Sequence, residues 1–263
     1  MRLKIMGICI VAVFAMAAVV SASASAAAPA FYECAKLTKN PTTKKYEGKY
    51  SEKTCAKEAS PTEQTEGKKN KYELKEGIGA KGKPFKGKGP AATLHTPAVG
   101  GEVTCKSFKD SGSINTPTTE NKVVSEFKTC ESLKKKCASP GQKAGTIKTN
   151  SLAGELGYIS KSPLKVGVLL KPESGSVLAE FNCEGLEIET TGSVIGEQKG
   201  DINVFNKTSE NVFTVNGEGL QSVKNFEGGS NHELLSKING SGPFPSGQQA
   251  TAVNKGEELE IKA

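Results

Sequence analysis

Val166-Gly-Val-Leu-Leu170, Pro172-Glu-Ser-Gly175 and Val177-Leu-Ala-Glu-Phe181 follow one another almost without a break, and their reading decides the fold class. Apolar side chains at 166, 168 and 170, and again at 177, 179 and 181, recur with a period of two. That is the repeat of a strand whose alternate side chains share one face. The Pro-Glu-Ser-Gly segment between them has the composition of a tight turn. The stretch therefore predicts a β-hairpin with Val166, Val168 and Leu170 set against Val177, Ala179 and Phe181.

The same signals extend in both directions. Asn216-Gly217 is a strong turn signal because both residues tolerate positive φ, and it predicts a second hairpin between Val212–Val215 and Leu220–Phe226. Further strands are expected at 101–108, 145–149, 186–195, 202–205 and 259–262, separated by Gly and Pro turns about every ten residues. Val123, Phe127, Cys130 and Leu133 stand at helical spacing, whereas Val123, Ser125 and Phe127 fit a strand running into Cys130. The strand is favoured because Ser125-Glu-Phe-Lys-Thr-Cys130 echoes Ala179-Glu-Phe-Asn-Cys183. One helix signature remains. Ser230 and Glu233 form a capping box, Leu234, Leu235 and Ile238 an apolar stripe, and Asn239-Gly240 a stop. The expected fold is all-β: an antiparallel, disulfide-stapled sandwich or barrel with a small cysteine-stapled module at the N-terminus.

The chain opens with Arg2 and Lys4, an apolar run from Ile5 to Val20 and a Ser/Ala stretch to Ala28. This is the pattern of a secretory signal peptide, with cleavage expected after Ala26. The apolar run is shorter than the roughly 20 residues of a membrane-spanning helix, so no transmembrane segment is expected after its removal. Residues 27–76, rich in Lys and Tyr, read as the small module. Gly77 to Pro90, GIGAKGKPFKGKGP, reads as a linker or loop, and 91–263 as the main β domain.

Signal removal takes Cys9 and leaves Cys34, Cys55, Cys105, Cys130, Cys137 and Cys183, an even set suited to an oxidising space outside the cell. Near-neighbour pairing is expected: Cys34 with Cys55, Cys130 with Cys137, and Cys105 with Cys183. Without CxxC knuckles or clustered histidines, zinc is not expected, and no cofactor is indicated.

Losing Arg2 and Lys4 lowers the formal net charge from +7 to +5 and leaves lysine as the sole basic residue apart from the two histidines. The planar fork of arginine carries most bidentate base and phosphate recognition, so its absence argues against nucleic acid as a partner. Anionic envelope polymer, polysaccharide or protein are the partners compatible with such a surface.

Catalytic signatures are incomplete. Gly82 to Gly89 starts like a P-loop but carries Gly89 where Ser or Thr should hold magnesium. His232-Glu233-Leu-Leu-Ser236 lacks the second histidine of a zincin helix. A GxSxG elbow is absent, and with only Asp110 and Asp201 as aspartates a DxDxDG calcium loop is excluded. Glu102, Glu155, Glu180 and Glu197 are the glutamates considered for a glycosidase pair. Tyr46, Tyr50 and Tyr72, set among lysines, form the candidate binding surface, or else the small core of the Cys34/Cys55 module.

Tyr32-Glu-Cys34, Gly48-Lys-Tyr50 ahead of Cys55, Gly101 to Cys105, Phe127 to Cys130, Cys137-Ala-Ser-Pro-Gly141, Leu152-Ala-Gly-Glu-Leu-Gly-Tyr158 and Gly192-Ser-Val-Ile-Gly196 follow an alanine-rich leader. This order resembles that of uncharacterised secreted, six-cysteine, lysine-rich β proteins of actinobacteria. The resemblance implies an exported bacterial β protein and supplies no activity. The functional expectation is a non-enzymatic surface or cell-envelope protein, secreted or wall-associated, that binds a polymer or a partner protein. The alternative is a secreted polysaccharide hydrolase using a glutamate pair. A third reading has the main domain enclose a small apolar ligand inside a barrel, which would show as a large closed cavity.

Overall fold

The computed structural model describes residues 28–76, 82–200 and 202–263; the expected signal peptide lies outside them. The first part of the chain forms β1 (Ala30–Lys36), α1 (Pro61–Glu66), β2 (Tyr72–Glu76), β3 (Lys83–Gly89), β4 (Ala92–Thr96), β5 (Gly101–Ile114), β6 (Thr119–Ser132), β7 (Lys135–Lys136) and β8 (Thr146–Lys148). There follow β9 (Leu152–Lys161), β10 (Leu164–Pro172), β11 (Val177–Asn182), β12 (Glu187–Gly192), β13 (Val194–Lys199), β14 (Asn206–Phe213), β15 (Leu234–Ile238) and β16 (Ser241–Lys262).

The pairings β3-β5-β6-β9-β10-β13-β14-β16 return to β3, so eight antiparallel strands close into a ring. The ring settles the architecture as a barrel. Closure removes the exposed edges an open sheet would leave. β4 continues β3 beyond Pro90, so the two form one bent strand lying between β5 and β16. Val166 and Val168 of β10 and Ile195 of β13 are fully buried inside the wall.

Two smaller assemblies close the ends. Phe31 of β1 packs with Phe85, Ile114, Leu259 and Ile261, and its backbone N–H donates to Pro117 in the β5–β6 turn. β1 pairs with the end of β16 and with β2, tying the N-terminal lobe to the barrel by hydrogen bonds. Lys83 of β3 adds ion pairs to Glu33 of β1 and Glu257 of β16. At the opposite end of the β5–β6 hairpin, β11, β12 and β15 join the first residues of β16 in an accessory sheet. Its inner face, including Ala179, Phe181 and Ile188, packs on Val103, Cys105, Cys130 and Ile147.

Several expectations are corrected. The Val166–Phe181 hairpin does not form: β10 pairs with β9 and β13, while β11 leaves the barrel and pairs with β12. With Val166 and Val168 buried, β10 is an inner strand, and both its edges are taken by neighbours that bury it better. Asn216 does make a tight turn, with bonds to Gly219 and Leu220, but its outgoing arm contributes one bridge, Val215 to Gln221. Residues 202–205 contribute only the bridge from Ile202 to Ile261.

The helix expected after Ser230 is strand β15, whose residues Leu234 and Ser236 point inward with a period of two between β12 and β16. Two free strand edges override a local helix signal. The capping box that does form lies at Ser60-Pro61-Thr62-Glu63 and starts α1. Within the expected linker, Lys83–Gly89 is strand β3, while residues 77–81 lie outside the described residues. Lys86 and Lys88 alternate with Phe85, Gly87 and Gly89, so the stretch has a wet face and an inner face.

The disulfides are Cys34–Cys55, as expected, with Cys105–Cys130 and Cys137–Cys183 in place of the other expected pairs. Strand register decides this. Cys105 and Cys130 are direct partners on β5 and β6, and the bridge from Ala138 to Asn182 sets Cys137 beside Cys183. Among the described residues no helix is long and apolar enough to cross a membrane.

Candidate binding site in the barrel interior

Inside an eight-stranded barrel the inward side chains nearly fill the space, leaving room at most for a small guest. Here, among Val, Leu and Ile side chains, three phenyl rings are set against glycines. Phe85 lies opposite Gly112, Phe108 opposite Gly89, and Phe213 packs on Gly196. A Cβ at Gly112 would come within 2.6 Å of the Phe85 ring, and one at Gly196 within 2.8 Å of the Phe213 ring. The glycines let the rings lie flat on the wall.

One layer breaks the apolar pattern. Register places Asn254 of β16, Gly87 of β3, Asp110 of β5 and Ser125 of β6 side by side around the wall. Asn211 of β14 stands next to this row, paired with Gln198 of β13 and Ala252 of β16. Gly87 makes room for its neighbours. A Cβ there would collide with Asn254 Oδ1 and stand 3.2 Å from Asp110 Oδ2.

Asp110 Oδ1, Asn211 Oδ1 and Asn254 Oδ1 are buried acceptors without a hydrogen-bond partner. Asn211 is 7% exposed and Asn254 8%. Burial raises the Asp110 carboxyl to about pH 6, opposed in part by a hydrogen bond from Ser125. The three residues line a cavity of about 100 Å³ together with Phe85, Phe108, Phe127 and Phe213. Leu178, Ala179, Phe181 and Leu234 of the accessory sheet line it from one end.

The residues singled out in the sequence lie elsewhere. Tyr46, Tyr50 and Tyr72 are half-buried in the N-terminal lobe, and none lines the cavity. Lys39 and Lys71 stand 5.5 and 5.9 Å from the Tyr46 ring centre, and Lys49 stands 5.7 Å from that of Tyr50. Their ring faces thus carry cations of the same chain. Glu155 is paired with Lys171 at 3.3 Å, Glu197 with Lys165 and Lys199 at 3.7 and 3.6 Å, and Glu102 accepts from Thr104. Glu180 lines a surface groove of about 510 Å³ opposite Glu189, which is ion-paired to Lys237 at 2.8 Å. His232 contacts Ser193 through Nδ1. Among the described residues, no three His, Cys, Asp or Glu are grouped to hold a metal ion.

Compared with known protein families, characterised proteins and solved structures, the chain matches none.

Proposed function

We propose that this is a non-catalytic binding protein of the cell exterior or envelope that carries a small ligand inside its barrel. The observation behind the reading is the interior layer of Asp110, Asn211 and Asn254, three acceptors without partners in a space walled largely by phenyl rings and aliphatic side chains. Each unsatisfied buried polar atom costs on the order of 1 to 3 kcal/mol. Apolar residues of similar shape would make a more stable barrel, so the layer is better explained by what it holds. An enclosed apolar pocket with a few convergent polar groups is the usual form of a small-molecule site. Three disulfides suit an oxidising, extracytoplasmic setting. The glutamate-pair hydrolase has less support, because Glu155 and Glu197 are bound to lysines on the outer face of the barrel.

The test is an amide NMR titration of the oxidised protein with polar probes of a few heavy atoms: ethylamine, ethanol, acetamide and acetate. Saturable shifts at Gly87 and Gly112 are expected for at least one probe. If none of the four moves these amides, the barrel does not serve as a binding site.

A further inference from the structure

The interior layer has a definite chemical sign. Its unpartnered atoms are all oxygens, one from a carboxylate and two from amides, so they accept hydrogen bonds and offer none. Asp110 and Glu120 are the titratable residues lining the cavity, and among the described lining residues there is no lysine or histidine. Lys86 and Lys88 of β3 occupy the alternate positions of the strand and face away from the Gly87 side, while Lys83, in phase with Gly87 but at the start of the strand, is ion-paired to Glu33 and Glu257 and does not line the cavity. The field inside the barrel is therefore negative.

Charge, donor count and walls select the same guest. A primary ammonium carries one positive charge and three N–H donors, matching three acceptor oxygens. Phe85, Phe108, Phe127 and Phe213 surround the layer, and phenyl faces attract organic cations. A bare metal cation is a poorer match. Hard cations need six or more oxygens, and beyond the polar layer the lining is largely hydrocarbon. Size adds a limit. A cavity of about 100 Å³ is smaller than the roughly 150 Å³ that accommodates benzene. Its occupant has on the order of three to five heavy atoms.

We infer that the ligand is a small primary ammonium ion, a compact alkylamine, held by Asp110, Asn211 and Asn254 over Gly87. This deepens the barrel-interior reading above and rests on it.

The experiment is calorimetric titration of the oxidised protein with ethylammonium, with ethanol, acetamide and acetate as size-matched probes, alongside the Asp110→Asn variant. Saturable ethylammonium binding at pH 7.5 is expected, about tenfold weaker at pH 5 as Asp110 takes up its proton. Glu120 is the other carboxylate lining the cavity, and Asp110→Asn separates the two because it removes the Asp110 charge alone. In that variant ethylammonium affinity should drop at least tenfold and lose most of its pH dependence. The pH series on the unaltered chain tests the same charge dependence without a substitution. Ethanol or acetamide binding as well as ethylammonium, indifferent to Asp110→Asn, would overturn the ammonium assignment and leave the barrel-interior reading standing. Preference for acetate would do the same. Binding of no probe would remove both.

Discussion

Asp110 and Asn254 meet over Gly87, the residue that separates them in the barrel wall. A side chain at Gly87 would displace Asn254 and crowd Asp110, and among the described residues no cation is paired with the Asp110 carboxylate. A carboxylate and an amide oxygen are thus held in an interior where hydrocarbon would be more stable.

Gly87→Ala should disturb this site more than the fold. Its new methyl meets the tip of the Asn254 side chain, which can swing away, and Gly87 has no positive φ to forbid alanine. Overpacking of this kind costs about 1 to 3 kcal/mol, offset by the 0.4 to 1 kcal/mol or so that alanine saves in unfolded-chain entropy. Gly89→Ala should cost more, because its methyl strikes the Phe108 ring and the Thr251 carbonyl, which is backbone. Thermal denaturation of the two variants should rank Gly89→Ala as the less stable.

Asp110→Asn should stabilise the ligand-free protein at neutral pH and leave it unchanged in acid. Its carboxyl titrates near 6 when folded and at its ordinary value, 3.8, when unfolded. Between those values the native state holds a proton the unfolded chain has lost, so stability falls as pH rises through the window. Above about pH 6 the accumulated penalty is about 3 kcal/mol, which asparagine does not carry. Urea denaturation at pH 3.5 and pH 7.5 should show coincident midpoints in acid and a higher midpoint for the variant at pH 7.5. Equal midpoints at both would mean that Asp110 is not desolvated.

Much of the β architecture was legible because period-two alternation and turn residues are local. β5, β6, β8 and the end of β16 stand close to where those signals put them. Pairing was not legible. The Val166–Phe181 alternation is real, yet its two halves end in different sheets, since pairing depends on which neighbour buries a strand best. The site was hidden for a sharper reason. In β5 the buried positions run 103 and 105, then 108, so the inward face changes phase near Lys106. In the paired strand Thr129 carries φ 55° at the matching place. A strict alternation begun at Val103 sends Asp110 outward; the structure turns it in. The one available signal was an acid two residues after Phe108, in phase with Ile114.

Peptide mapping without reduction should recover Cys34–Cys55, Cys105–Cys130 and Cys137–Cys183. The last closes 46 residues of chain and the second 25. On loop entropy alone, removing Cys137–Cys183 as a double alanine variant should cost about 0.5 kcal/mol more than removing Cys105–Cys130. Each loss should lie in the range of about 2 to 4 kcal/mol. Recovery of Cys105 linked to Cys137 or Cys183 would contradict the β5–β6 register.

The last prediction concerns how barrel and accessory sheet are joined. β16 pairs with β15 as far as Ser246 and with β4 from Gly247, so Ser246 is where one strand passes between two sheets. Its hydroxyl lies 2.9 Å from Ser236 Oγ and 3.2 Å from Thr96 Oγ1, and all three residues are buried. This chain of hydroxyls links β15, β16 and β4. Ser246→Ala leaves two buried hydroxyls short of a partner, a loss of about 1 to 3 kcal/mol. Adding Ser236→Ala removes one of those orphaned groups, so the double variant should be little worse than Ser246→Ala alone. Urea denaturation should show this as a coupling of at least about 0.5 kcal/mol in a double-mutant cycle, with the slope m unchanged. Simple additivity would mean that the hydroxyls act independently and that the junction rests on side-chain packing, the shared strand β16 and the Cys137–Cys183 disulfide.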